Sequence, residues 1–303
     1  MSSQQATSQL RKGVLLVAGS AFVWSIGGVI SRFLSVHDSW SVVFWRSAFA
    51  ALFLLCYMLF TSGARATIAM FRKMGWAGIA VAFCFAVAST SFVVALAYTT
   101  VANILLMQAG VPLIAALLAW TLFGEAVSTP TKIAIAAVIA GVGIMVSESL
   151  TGQVSPIGDG LAVLIAFMFA VATVLTRRHS EVLMLPAVCL ATTMAGTFAS
   201  FMAQRFNVSQ TDFGLLILFG AVNLGAGLAM FSSGARLIPA ALAALIGTLE
   251  PVLAPIWVWL IHNEVPSSRT LIGGLVVFTA LLMHLLVQAR ITKQIGKRID
   301  RAY

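Results

Sequence analysis

The sequence predicts an all-α integral membrane protein with ten transmembrane helices arranged as two inverted five-helix repeats. Three observations carry this expectation. The 303 residues are 60% hydrophobic and only 9% charged, with a mean hydropathy of +1.02, which is too little charge to clothe a water-facing surface of this size. The apolar residues fall into ten runs, each long enough for a helix of roughly 20 residues to cross a bilayer. The second half of the chain also repeats features of the first.

The runs cover residues 13–34, 39–60, 75–96, 100–123, 130–148, 157–176, 183–204, 213–233, 239–261 and 268–288. Helix breakers and caps separate them, as at Ser62-Gly63, Ser128-Thr129-Pro130, Ser155-Pro156 and Val265-Pro266-Ser267. Only Tyr98-Thr99-Thr100 separates spans three and four, which predicts a tight hairpin. In lipid every backbone N–H and C=O needs a partner within its own segment, so the runs are helices. The short alternating segments of a β-barrel are absent. The first run is too long for a signal-peptide core and lacks a convincing small-residue cleavage site, so it reads as a first span. Ten spans use most of the chain and leave no room for a soluble domain.

Cations set the expected orientation. With both ends inside, the cytoplasmic side holds Arg11, Lys12, Arg65, Arg72, Lys73, Lys132, Arg177, Arg178, Arg236 and the five cations from Arg290 to Arg301. The opposite side holds only Arg32, Arg205 and Arg269. This asymmetry fits the positive-inside rule for an even number of spans. It also accounts for the net charge of +9 without nucleic acid, for which no basic groove-reading helix is present. The expected partners are the lipid bilayer and a small-molecule substrate. Residues 289–303 form a basic amphipathic tail, with Ile291, Ile295 and Ile299 at helical spacing, suited to lying on anionic lipid or to binding a partner.

The halves match at a shift of about 139 residues through Ala102 and Ala241, Leu106 and Leu245, Pro112 and Pro251, Trp120 and Trp259, Glu125 and Glu264, and Ser128 and Ser267. Spans one and six match more weakly at about 145, through Ala21 and Ala166, Val29 and Val174, and Arg32 and Arg177. The repeats are therefore placed at 13–148 and 157–288. An odd number of helices per repeat makes the second copy enter the membrane from the opposite side, an architecture that recurs in transporters with the site near the midplane.

The stretch Ala102-Asn103-Ile104-Leu105-Leu106, then Pro112 and Leu122-Phe123-Gly124-Glu125, resembles the fourth-to-fifth-helix motif of the drug/metabolite transporter superfamily. Its second copy, Ala240 to Ala244, Leu249-Glu250-Pro251-Val252, Trp259 and Glu264, is closer still. The chain is similar over nearly its whole length to the ten-helix EamA group. It departs at Asn263, where Gly usually precedes the Glu, and at Val111, where many relatives carry Glu before the proline. The resemblance implies a secondary transporter, most simply an exporter of a small metabolite such as an amino acid, working by alternating access. It also implies a cavity lined by spans one, three, four, six, eight and nine, with five and ten towards the outside. A membrane-embedded enzyme and a non-transporting membrane protein are the rival classes.

Glu250 is the acidic residue placed deep in a span, about 16 Å from the cytoplasmic end of span nine. An unpaired carboxylate there must be protonated, paired or facing water. It therefore reads either as a substrate or proton site or as a structural residue bonded to a neighbouring helix. Its position in the first repeat holds Val111. Arg46, about seven residues into span two, can bind a substrate carboxylate, pair with Glu250, or snorkel to the outer headgroups. Pro112, Pro251 and Pro255 can kink spans four and nine at matching places. Asn103, Gln108, Asn223, Thr90, Ser91 and Tyr98 can bond a solute or hold helices together. Trp24 and Trp257 can stack on a solute or pack in the core. Trp40, Trp45 and Trp76 sit near span ends as interfacial anchors. Gly27, Gly28, Gly141, Gly143, Gly273 and Gly274 permit close helix contact. Glu125 and Glu264 close the two repeat motifs at opposite faces and read as helix-end or gate-stabilising residues, able to pair with Lys132 or Arg269 in the following helix, although exposed pairs contribute little. No metalloprotease, nucleophile-elbow or P-loop motif occurs, so no catalytic set, metal or cofactor is expected. Cys56, Cys84 and Cys189 lie inside apolar runs and read as small buried hydrophobes.

Overall fold

The computed structural model describes residues 3–147, 155–179 and 183–299, with side chains described over 8–147, 155–179, 183–239 and 242–287. Its helices are α1 (Ser3–Ser25), α2 (Gly27–Phe33), α3 (Ser39–Lys73), α4 (Gly75–Ala95), α5 (Val101–Gln108), α6 (Val111–Phe123) and α7 (Thr129–Val146) in the first half. The second half has α8 (Pro156–Arg178), α9 (Met184–Met202), α10 (Gln210–Ile217), a π-helical segment Leu218–Ala226, α11 (Gly227–Gly234), α12 (Ala240–Gly247), α13 (Leu249–His262) and α14 (Ser268–Ile299). Among the described residues nine helical stretches are long and apolar enough to cross a membrane, and α5 with α6, bent by 42°, makes a tenth when the pair is taken as one span. The fold is the all-α, ten-span membrane architecture that the sequence predicts. An even number of crossings puts the start of α1 and the end of α14 on one face, here the terminal face; the other is the distal face.

Local chemistry fixes the ends of these helices. Asp38 caps α3, with its carboxylate accepting from the Trp40 amide at 3.1 Å, and Thr100 caps α5, with its hydroxyl accepting from the Asn103 amide at 3.2 Å. Ser128 and Ser209 cap α7 and α10 in the same way. Gly63, at φ 78°, interrupts α3 and ends the span where Ser62-Gly63 marks it, and a second helical piece with Arg65, Arg72 and Lys73 follows. The tail over 289–303 lies outside the residues whose side chains are described.

The departure at Asn263 has a backbone explanation. Gly124 and Asn263 end α6 and α13 at matching repeat positions, with φ of 65° and 53°. Each is a left-handed helix cap, and Asn is the residue after Gly that tolerates this geometry best. The caps swing Glu125 and Glu264 out of their helices at opposite faces.

Packing follows the repeat. Span two packs on span seven and span five on span ten, each pairing across the two halves. Span three packs on span six, and span eight packs on span one in the equivalent contact. Spans five and ten meet backbone to backbone: a Cβ on Gly141 would lie 2.8 Å from the Gly273 carbonyl, and one on Gly273 would lie 2.5 Å from the Gly141 carbonyl. Gly143 differs from expectation, because it faces open space and serves no close contact. Cys84 and Cys189 are buried, and all three cysteines are free.

Candidate functional site

Three of the sequence candidates gather around a break in span one. The helix is interrupted at Ile26, between α1 and α2. Asn223, in the π-helical segment of span eight, donates its amide to the carbonyls of Val23 at 2.6 Å and Trp24 at 3.3 Å. From span nine, the Trp257 indole donates to the Ser25 hydroxyl at 3.1 Å. The Trp24 ring lies against Gly227 and stacks at a tilt on Phe231, 5.4 Å away. The break is thus held from both sides by side chains of the second repeat.

Span four is broken and bent by 42°, and span nine has a one-residue interruption at the position matched by the repeat. Span four turns at Ala109-Gly110 between α5 and α6, and span nine turns at Thr248 between α12 and α13. Pro112 and Pro251 lie in the first turn of the helix after each break, where the missing N–H has no helical partner to lose. They start a helix piece rather than bend a continuous one, and Pro255 alone is internal. Gln108 ends α5 with a buried amide nitrogen that meets no acceptor. Glu250 lies in the first turn of α13, partly buried, and has no ion-pair or hydrogen-bond partner among the described residues. The helix start favours its negative charge.

The distal face carries the densest polar network. Arg32, at the end of α2, bonds Glu264 from Nε at 2.7 Å, the Leu96 carbonyl from Nη1 at 2.7 Å and the Thr99 carbonyl from Nη2 at 3.1 Å. The other Glu264 oxygen accepts from the Val101 amide at 2.7 Å. Beside it, buried Asn103 bonds Thr99 at 3.0 Å and the buried carboxylate of Asp159, in the first turn of α8. A cavity of about 380 Å³ lies against this network, lined by Arg32, Tyr98, Thr100, Asn103, Asp159 and Thr270 among others. Tyr98 is exposed at its rim. Met145 of span five and Thr270 of span ten also line it, although the resemblance places those spans outside.

The terminal face carries the matching pair. Arg177, at the end of α8, bonds Glu125, just past the cap of α6. Arg32 and Arg177 match in the repeat, as do Glu125 and Glu264. Each bridge therefore joins an arginine from one half to a glutamate from the other, and the two close opposite ends. This corrects the pairing with Lys132 or Arg269 that the sequence offers. Lys132 instead lies over the Trp120 ring at 4.9 Å, and Arg269 donates to the Ser147 carbonyl at 2.8 Å.

Arg46 stands apart from these clusters, between spans two, three and eight. It does not pair with Glu250 and does not snorkel. Its Nη1 donates to Ser89 on α4 at 2.9 Å, and its guanidinium lies over Phe219 at 4.4 Å and Phe92 at 5.7 Å. No cluster of three or more metal-ligating side chains occurs among the described residues.

Sequence reasoning passed over Arg32, Asp159 and Ser89 as site residues. The repeat held the signal for Arg32, since its match to Arg177 combined with the Glu125 and Glu264 match implies two crossed pairs.

A two-repeat, ten-span bundle with broken helices in both halves and a charge pair at each end defines a membrane protein of the inverted-repeat transporter class. The EamA-like transporter family matches residues 11–147 and 156–286, so the chain belongs to that family. No curated protein matches it. Among 23 matching chains of known structure, one described only as a protein of known crystal structure is similar over 94% of this chain and 99% of its own, with a TM-score of 0.61 and 18% identity. That likeness concerns the fold alone.

Proposed function

We propose that this transporter moves a small metabolite, an amino acid or related compound, outward across the cytoplasmic membrane by alternating access. The observation that carries the reading is the pair of repeat-related bridges, Arg32 to Glu264 and Arg177 to Glu125. Each ties the two repeats together at one end only, so parting one while the other holds opens one face at a time. Breaks in spans one, four and nine provide places where short helix pieces swing without unfolding a span. The terminal face is assigned to the cytoplasm on the distribution of loop cations, and Arg32 to Glu264 is then the outer closure. Flux in proteoliposomes tests the function: saturable, counter-solute-accelerated movement of amino acids or related metabolites is expected, and its absence for every solute that stabilises the purified protein on heating overturns the reading.

The topology is tested separately. Tags at residues 1 and 303 should both resist protease in intact cells and both be cut in inside-out vesicles. Opposite accessibility of the two tags requires an odd number of spans.

A further inference from the structure

Arg46 sits about 10 Å below the distal end of α3, counting seven residues at about 1.5 Å each. A guanidinium at that depth has three ordinary fates. It snorkels to water, pairs with a carboxylate, or faces a polar cavity. The first fate does not apply, because the head bonds Ser89, itself six residues inside the distal end of α4, and the residue is only 6% exposed. Nor does the second, because neither ion pair of the described residues includes Arg46. Glu250, the one acid that the sequence offers as its partner, does not pair with it.

What remains is a buried cation with an unpaired hydrogen-bonding edge. Nη1 is occupied by Ser89, and the faces of Phe219 and Phe92 flank the guanidinium. Nε is buried and meets no acceptor. Nη2 has no acceptor among the described residues either, so the Nε and Nη2 edge is unpaired there. That edge is the one that grips a carboxylate through two parallel bonds. The surroundings hold it still. Gly220, in the π-helical segment, presses against the Arg46 carbonyl, where a Cβ would come within 2.3 Å. Such segments recur at functional sites because they insert a residue without ending the helix. Phe92 packs both here and against the core to which spans one, three, four, five, six and nine contribute, so it stands between Arg46 and the interior of the bundle.

We propose that Arg46 binds a carboxylate of the transported solute through its Nε and Nη2 edge, so that the solute is a carboxylic acid in its ionised form. The inference rests on the transporter reading and narrows its substrate class. A solute that bonds this edge supplies the missing counter-charge, and a neutral analogue leaves it bare.

The test is solute binding to the detergent-purified full chain, followed by heat stability and titration calorimetry. The probes are the common amino acids, their carboxamides, and short mono- and dicarboxylates such as succinate. Wild-type protein should bind at least one carboxylate and bind its carboxamide at least about 30-fold more weakly, the loss expected when one partner of a buried charge pair is removed. Arg46→Lys keeps the charge but not the fork and should weaken the carboxylate at least about tenfold. Arg46→Gln should bind carboxylate and carboxamide alike. Equal binding of acid and amide by the wild type overturns the proposal without any variant, whatever the folding of Arg46→Gln. Undiminished carboxylate binding by well-folded Arg46→Gln also overturns it. Arg46-dependent binding without flux in proteoliposomes would leave this site standing and remove the transport reading. Saturable flux that ignores Arg46 and the carboxylate would do the reverse.

Discussion

Glu250→Gln is expected to fold normally and to reduce pH-gradient-driven flux to the rate of protein-free liposomes, while solute exchange without net proton movement survives. The expectation rests on where the residue stands. It lies in the first turn of α13, directly after the break at Thr248, and it has no partner among the described residues. Its repeat mate is Val111, so the carboxylate is a feature of one half only. In the alternating-access reading proposed above, a carboxylate at this joint meets different hydration in the two access states, and a difference in hydration between states is what lets one group load and release a proton. Gln matches the neutral form in size. Because no hydrogen-bond network around Glu250 is broken, the apparent Tm should move by no more than a few degrees. A fall of ten degrees or more would assign the residue to the framework, since a buried network would then have been lost. Undiminished pH-driven flux in well-folded protein would remove Glu250 from the proton step.

Glu264→Gln should open the distal face. Glu264 holds two donors, Arg32 Nε and the Val101 amide, and so ties α2 to the start of α5. Hydrogen bonds to a charged group contribute roughly 1.5–3 kcal/mol each, and about 1.4 kcal/mol is a tenfold shift in a two-state population. In a background lacking Cys56, Cys84 and Cys189, a cysteine at Thr270 should react with an impermeant thiol reagent about tenfold faster in Glu264→Gln than in the parent. Glu125→Gln should change the same rate less than about threefold, because its bridge is solvent-exposed and such pairs are worth little. Unaltered labelling in Glu264→Gln would mean that this bridge is not what closes the face.

The architecture was readable because lipid imposes it. Each span needs an uninterrupted apolar length, and the chain marks its ends with Asp38, Thr100, Ser128 and Gly63, whose capping and left-handed roles are local and visible in sequence. The interior of the spans was less readable. Nothing in Leu-Phe-Gly-Ala-Val-Asn-Leu-Gly-Ala distinguishes a π-helical segment from an α-helix, since the extra residue per turn is accommodated by Gly220 packing on Arg46 and Gly225 on Phe53, contacts made by a distant helix. The surroundings of Arg46 were hidden for the same reason. Whether it snorkels depends on which neighbour offers a hydroxyl at depth, and that neighbour is Ser89, not the adjacent Thr90 or Ser91. The crossed bridges fall between these cases. Residues 232 positions apart pair as Arg32 and Glu264, and only the repeat brings them together on paper. Read one half at a time, Glu264 points to the nearby Arg269.

The two bridges differ in their exposure to solvent. The side chains of Arg32 and Glu264 are 28% and 17% exposed, and those of Arg177 and Glu125 are 56% and 38% exposed. Mobile ions reach the second pair far more readily than the first, and at physiological ionic strength the screening length is about 8 Å. Added salt therefore loosens the end that carries Arg177 while leaving the end that carries Arg32 nearly untouched. Two bridges built from the same pair of residue types therefore respond unequally to one solvent, and the more responsive of the two is the one that contributes less.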